Sequence, residues 1–595
     1  MSIRGFHMSA GKSYLASVCL AAILVLLSSS GTAAQSSGSI AGRLVDSLTA
    51  QPIPGAVVLL EELGRETTSD GQGVFRFDGL APARYHIIVN LEGYSSRRNE
   101  VSATSAPGDP ADLRIDPELH FHDVVSVSGD TRSQFEAYQP TSVLAGQELG
   151  KKLEMSMGAT LESQPGLTSR SFGPATARPV IRGLDGDRVL ILQDGQRTGD
   201  LSAQSADHAV TINPASAERI EVVRGPATLL YGSNAIGGLV NVISNQIPTT
   251  AVTGVKGSFV ADVGSAAKEA GTAADVRVGN GKFALNVGGG GRRSGDVATP
   301  EGDVVNSQSR SGFGNVGLSW TGAKCYFGGS YGYDDTKLGI PIVEEGILQS
   351  TPRKHSIGIR AGARDLEGFL ESFRATVSLR RYKHEELEGD EVGTAFRNDT
   401  NEFELLANHK AMGRLKGSFG GSFLDRAFDA VGAEALSPAV DQRSVAGFVY
   451  EELAWPHVTV QLGGRVDSAR YAPLGEDERT FTTGSGSIGL LLRPQAAQDA
   501  VTVAVSLARS ARYPALEELF YFGPHPGNFA FEIGNPDITP EHALGLDLSL
   551  RWRSARASGE ITYFRNDIAN YLFRRPVSEE EFEEREPEFA ARFPG

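Results

Sequence analysis

Cysteine is nearly absent from this chain: its 595 residues contain two, Cys19 and Cys325. No framework of several disulfides can form, so stability must come from strand pairing and packing. A basic excess is also missing. The formal net charge is −16, which argues against a nucleic-acid partner, because phosphate binding needs a basic face. No His is followed three residues on by Glu, and H-E-x-x-H does not occur. The usual ligand pairs of zinc hydrolases are therefore excluded. No Lys-Ser/Thr pair follows the glycines of "YGSNAIGG", which removes a phosphate cradle. The apolar run "LASVCLAAILVLL", Leu15 to Leu27, is too short to cross a bilayer as a helix, and no later segment is a helical span.

That short run has another use. Arg4 and Lys12 give it a basic start and "GTAAQ" follows, the pattern of an export signal cut after Ala34. Val18 is large and the apolar run continues past Cys19, which sets aside a lipoprotein signal. Removal of 1–34 leaves Cys325 alone. Glycine, by contrast, is plentiful at 70 residues, above the usual ~7%, which suits strands and turns. An exported chain with no spanning helix is either soluble or a β-barrel, since only helices and closed barrels satisfy the backbone in lipid.

Three regions follow the signal. In 38–117, "SIAGRLVD", "PIPGAVVLLEE", "GVFRFDGL" and "ARYHIIVNLEGY" are short alternating strands divided by Pro and Gly turns. Their order resembles the carboxypeptidase regulatory-like domain, a small transthyretin-like sandwich, which speaks to fold rather than function. "SATSAPGDPADL", Ser102 to Leu113, reads as a linker or long loop. In 120–247, "HDVVSVSG" opens the region, "VLAGQELGKKLEMSMGATLESQPG" reads as a helical passage broken by glycines, and two strand-like blocks follow. One block is "RPVIRGLDGDRVLILQDGQR"; the other contains "IEVVRGPATLLYGSNAIGGLVNVIS". The pair, in this order, resembles the plug domain of TonB-dependent outer-membrane receptors. "DVVSVSG" (Asp123, Val124, Val125, Ser126, Val127, Ser128, Gly129) then resembles the TonB box.

The third region, 250–595, alternates. Leu544, Leu546, Leu548, Leu550 and Trp552 share one face, and Asp547, Ser549, Arg551 and Arg553 the other; Phe373, Ala375, Val377 and Leu379 repeat the pattern. Alternation alone fits a sandwich or a barrel. The resemblance implies a transmembrane antiparallel β-barrel, apolar face to lipid and polar face to a wet lumen. The fold class expected for the whole is mainly β: sandwich, α/β plug, barrel. Roughly 15 strands can be counted, whereas the resemblance implies 22, and the chain closes on the acidic, strandless "SEEEFEEREPEFAARFPG". The expectation is a barrel lacking its C-terminal part.

The resemblance implies energised uptake with the TonB complex and outer-membrane lipid as partners, a small ligand or metal ion as cargo, and no catalytic residues or resident cofactor. Arg182, Glu221 and Arg224 match positions that hold the plug core and its contact with the wall. Gly232, Gly237 and Gly238 suit tight turns and close backbone approach. The plug is most similar to that of outer-membrane zinc receptors, where an Asp-His pair matches "SADHAV", here Asp207 and His208. His525 in "GPHPG" and a carboxylate from "HEELEGDE" complete a zinc-like set of about four ligands. Glu388 is chosen from Glu385, Glu386, Glu388, Asp390 and Glu391. Each has a plainer reading: His525 as a turn residue, the acids as a solvated face, His120 and His122 as linker composition. The long His-rich loop of a dedicated zinc scavenger is absent, so siderophores, cobalamin-like compounds and oligosaccharides stay open as cargo, and a signalling receptor as a further class.

Overall fold

The computed structural model describes residues 38–46, 51–91, 94, 98–103, 111–115, 137–226, 232–341, 348–432, 435, 437–494, 500–525, 530–553 and 557–592. The export signal, His120, His122 and the segment Asp123 to Gly129 lie outside them. The chain divides into two compact units, Met1–Asp116 and Pro117–Gly595.

The first unit is a sandwich. One sheet pairs Gly38–Asp46 antiparallel with Val74–Leu80 and parallel with Ala111–Ile115. The other orders Arg65–Thr68, Val57–Leu60, Arg84–Asn90 and Arg98–Ser102. Ile40, Leu44, Phe75, Phe77 and Ile115 from the first sheet meet Val58, Leu60, Ile87 and Val89 from the second in one core. The segment Ser102 to Leu113 is less of a linker than its composition suggests. Ala111–Ile115 is a strand, because Leu113 and Ile115 alternate and Ile115 closes the core.

The plug begins with Thr141–Ala145, which is a strand and not the start of a helix as the sequence suggests. Two short helices follow, Gly146–Lys152 and Met157–Leu161. Ser156 caps the second: its hydroxyl accepts from the Ala159 amide. A five-stranded sheet orders Gln196–Arg197, Val189–Gln193, Gly238–Ile243, Arg219–Arg224 and Thr141–Ala145. Every residue of Arg219–Arg224 and Gly238–Ile243 is buried, so these strands read as continuous apolar runs broken only by charges that find partners.

Those charges are Glu221, with its partner Arg219, and Arg224. Glu221 is wholly buried and accepts from Arg219 Nε at 2.9 Å and from Asn241 Nδ2 at 3.4 Å. Arg224 donates to the Pro165 carbonyl at 2.8 Å and to Ser142 Oγ at 3.0 Å. Both tie the plug to itself. Arg182 reaches out: in left-handed backbone at φ 51°, it donates to Asp547 Oδ1 on the wall at 2.6 Å and lies 4.0 Å from the Phe564 ring centre. Gly238 has φ 145°, and a Cβ there would meet the Val223 carbonyl at 2.3 Å. Gly232 has φ 89° beside Arg465, and a Cβ on Gly237 would meet Leu184 at 2.9 Å.

The wall is a 16-stranded antiparallel sheet running from Thr253–Gly264 to Ser558–Ala569. Two of its strands, Leu348–Ser350 and Arg353–Ala363, stack end to end between the same neighbours. Among the described residues the first and last strands do not pair with each other. Burial is inverted relative to a soluble protein. On Glu541–Arg553, Asp547, Ser549 and Arg551 are each no more than 3% exposed, while Leu544, Leu548, Leu550 and Trp552 are each 36% exposed or more. Apolar side chains face outward to lipid, and polar ones face the plug. The final acidic stretch contains a helix, Glu579–Arg592. The longest connection among the described strands of this wall, 513–540, lies at the end where Leu370–Glu388 finishes. Long loops mark the extracellular end of such barrels.

The replacement Glu221→Ala strips a buried guanidinium of its carboxylate, and such losses cost about 3 kcal/mol or more. The plug of this variant should become protease-sensitive at a lower urea concentration than wild type; an unchanged midpoint would show that the pair contributes nothing.

Candidate functional site

The plug segment between Gln196–Arg197 and Arg219–Arg224 is almost devoid of regular structure, so side chains must shape it. Asp200 does most of this. Its carboxylate accepts from the Ser202 amide and hydroxyl at 3.2 and 2.7 Å, and from the Thr211 amide and hydroxyl at 3.0 Å each. The loop is thereby closed at both ends around Asp207 and His208. From the wall, Lys354 Nζ donates to the Thr211 carbonyl at 2.8 Å.

Asp207 and His208 are 2% and 3% exposed. His208 Nδ1 lies 3.2 Å from the Leu201 carbonyl, so that nitrogen carries the proton and donates. Nε2 then faces the wall, 3.3 Å from Glu386 Oε1. A histidine held through one nitrogen by a carbonyl presents the other as a metal ligand.

The wall supplies two more donors from Leu370–Glu388. Tyr382, His384 and Glu386 share the lumenal face, since alternate residues of a strand point the same way. His384 Nε2 lies 3.4 Å from Glu386 Oε1, and its ring stacks on Phe396 at 4.4 Å. Its Nδ1 is buried with no hydrogen-bond partner. The ligand atoms of His208, His384 and Glu386 all lie within 4.8 Å of one another.

The third element is the hairpin Phe522–His525 with Ala530–Ile533, part of the long connection 513–540. His525 Nε2 lies 3.7 Å from Asp207 Oδ2, and its Nδ1 lies 3.0 Å from Glu532 Oε1. Arg574 in turn donates to Glu532 at 2.6 Å. Asp207 Oδ1 is buried without a partner.

Burial raises the Asp207 carboxyl, but the positive charge of His208 and the hydrogen bond from His525 outweigh it and hold the group well below the usual carboxylate range. Burial lowers His208, yet the Asp207 charge and the Glu386 hydrogen bond bring it above its ordinary value. His525 is pushed up to about 10: burial works against this, and the hydrogen bonds to Asp207 and Glu532 prevail. Without a metal, His525 is an imidazolium clamped between two carboxylates.

The structure therefore brings Asp207, His208 and His525 together from residues far apart in sequence. Glu388 is not with them: it is exposed at the hairpin tip, and Glu386 stands in its place. The reason is height. Glu388 keeps the register of Glu386 against Leu348–Ser350 but lies one two-residue repeat further out, beside the tip. His384 was a missed residue, although the outward apolar set Phe373 to Leu379 already assigns the even-numbered positions to the lumen. Glu532 and Lys354 carry no comparable signal in the sequence.

Three family descriptions match the chain: a carboxypeptidase regulatory-like domain over 39–117, the TonB-dependent receptor plug domain over 133–239, and a TonB-dependent receptor-like β-barrel over 298–581. Among curated proteins, a hemin receptor of Yersinia pestis is 37% identical over 118 residues, 20% of this chain and 17% of that protein. The vitamin B12 transporter BtuB of Vibrio vulnificus (strain CMCP6) is 32% identical over 133 residues, 22% of each. The chain thus matches only about a fifth of the length of these relatives. Solved structures agree in fold. The copper transporter OprC aligns with TM-score 0.60 at 18% identity over 70% of this chain and 68% of that one. The Serratia marcescens hemophore receptor HasR aligns with TM-score 0.61 at 14% identity over 73% and 74%. Plug and barrel, matched in order and folded one against the other, establish that this chain belongs to the TonB-dependent outer-membrane receptors.

Proposed function

We propose that this receptor takes up a divalent transition-metal ion, zinc in the first instance, and binds it between plug, wall and hairpin. The observation that carries this reading is the convergence of His208, His384 and Glu386, all buried, with ligand atoms within 4.8 Å of one another. Asp207 and His525 stand beside them. Imidazole and carboxylate suit zinc, which takes about four such ligands. Soft monovalent copper would call for thiolate or thioether, and none of these five donors is either.

Transport of an ion breaks no bond in it. What the residues must do is strip water, hold the ion, and let it go. Three separate elements contribute the ligands, so a displacement of the plug takes Asp207 and His208 away from His384, Glu386 and His525. TonB would supply that displacement by pairing with "DVVSVSG" as an added strand, where main-chain hydrogen bonds give affinity. Val125→Pro is expected to abolish uptake and to leave zinc binding intact; normal uptake in that variant would remove the box assignment.

A second reading, heme capture, draws on the similarity of 118 residues of the chain to a hemin receptor. The closed site disfavours it: the His208 and His384 rings are 4.8 Å apart, and the cavity nearby, lined by Gln204, Tyr471 and Glu517, holds about 140 Å³. Larger ligands need pockets of roughly 300 Å³ or more. Calorimetric titration of the full chain separates these readings. His384→Ala and Glu386→Ala should each weaken zinc binding by about 100-fold, and Glu388→Ala should not. Unchanged zinc affinity in the first two, or a Soret shift with hemin that is lost in His208→Ala, would overturn the zinc proposal.

Metal must displace a proton from His525, which the site holds in its charged form. Affinity should therefore climb with pH, about tenfold per unit for each proton released. A flat profile between pH 6 and 8 would mean that His525 is not a ligand.

A further inference from the structure

A plug residue and the hairpin that carries His525 hold the same short stretch of chain. This is 571–575, which follows the wall strand Ser558–Ala569. It forms neither helix nor strand, so its course is set by what grips each end.

At one end stands Arg188. It leads into the plug strand Val189–Gln193, and its carbonyl accepts from the Gly237 amide at 2.8 Å, so it travels with the central plug sheet. Its guanidinium donates to the Leu572 carbonyl and lies 4.1 Å from the Tyr571 ring centre. The same guanidinium donates to Glu541 at 2.5 and 3.1 Å. Glu541 also accepts from the Leu572 amide, at 2.7 Å. Leu572 is thus gripped at its amide by the wall and at its carbonyl by the plug.

At the other end stands Arg574. It donates to Glu532 at 2.6 Å, and Glu532 lies 3.0 Å from His525 Nδ1. Only Phe573 separates the two ends, and it is 75% exposed, so no packing holds the link between them. Two residues of chain reach about 7 Å at most. A link this short passes a shift of Leu572 on to Arg574. The helix beyond approaches the same hairpin: Arg585 lies 6.0 Å from the Phe522 ring centre.

We propose that 571–575 is a strap that makes the hairpin's hold on the metal depend on the position of the plug, with Arg574 as its positioning residue. With Arg188 seated, the strap is taut, Glu532 is fixed and His525 is aimed at Asp207. When the plug is displaced, Arg188 leaves. Glu541 keeps Arg512 at 2.8 Å, so the wall stays paired. Leu572 keeps its amide bond alone, Arg574 slackens, and Glu532 no longer fixes the imidazole. The hairpin lets go in the movement that withdraws Asp207 and His208. The consequence for metal rests on the zinc proposal; the linkage itself does not.

Hydrogen exchange of the metal-free full chain, followed by mass spectrometry across Phe522–Ile533, reads the linkage without a ligand. Arg574→Ala should speed exchange there about tenfold. Arg574→Lys, which keeps a single charged contact, should restore protection. Arg188→Ala should give the same acceleration, although Glu541, Tyr571 and Leu572 all lie outside the hairpin. Three glycines inserted between Phe573 and Arg574 lengthen the strap by about 10 Å and leave those contacts in place. In that background Arg188→Ala should change the hairpin no further. An unchanged hairpin in Arg188→Ala overturns the proposal. So does an effect that persists undiminished with the glycines, which would route it through Glu541, Arg512 and Glu518. If Arg188→Ala does not assemble, Tyr571→Ala removes the ring beneath the same guanidinium and is read in the same way. Calorimetry with zinc supplies the functional readout: Arg574→Ala should bind about tenfold more weakly, and Arg574→Lys within about threefold of wild type. Wild-type affinity in Arg574→Ala would end its positioning role. No zinc binding by wild type would remove the zinc proposal, while the exchange result still decides the strap.

Discussion

A strand in this wall has one dry side and one wet side, and the rest of the structure follows from that constraint. Charge is tolerated only toward the lumen or at the rims, so the lumen collects the Arg, Lys, Asp and Glu that the outer face refuses. Those groups need partners, and the plug provides them. Arg182 with Asp547, Arg188 with Glu541, and Lys354 with the Thr211 carbonyl are contacts in which one side belongs to the plug and the other to the wall. A plug held by polar contacts can be moved without exposing a large apolar surface, which a plug held by packing alone could not.

The candidate site obeys the same logic. His384 and Glu386 are charged-group positions on a lumenal face, and they face a loop that is itself organised by a carboxylate, Asp200. Each of the three contributing elements is incomplete alone. The wall offers an imidazole with an unpartnered nitrogen, the plug loop offers a carboxylate with an unpartnered oxygen, and the hairpin offers an imidazole braced by Glu532 and Arg574. Occupancy of such a site depends on where the plug sits.

The architecture was legible where a pattern has a period. Two-residue alternation marked the strands, their approximate number and their two faces, the plug-like motifs before them decided for a barrel, and the apolar runs around "IEVVRG" named the central plug strands. Reading failed where the outcome rests on a single residue. Glu386 and Glu388 share a face by alternation, and only the height of the strand's end decides which of them lies within the wall. Ala111–Ile115 sits in linker-like sequence and pairs because of two side chains, Leu113 and Ile115. Asp207, His208 and His525 could be gathered through resemblance, but their distances depend on Asp200, Lys354 and Glu532, whose partners lie in other segments and leave no periodic trace.

The depth of the donors has a further consequence. Leu387 and Glu388 separate the donors from the tip at Gly389 and Asp390, so His384 and Glu386 sit inside the wall and not on its rim. Insertions or deletions at that tip can lengthen or recolour the extracellular surface while His384 and Glu386 keep their aim. The outer surface is free to diversify over an unchanging floor.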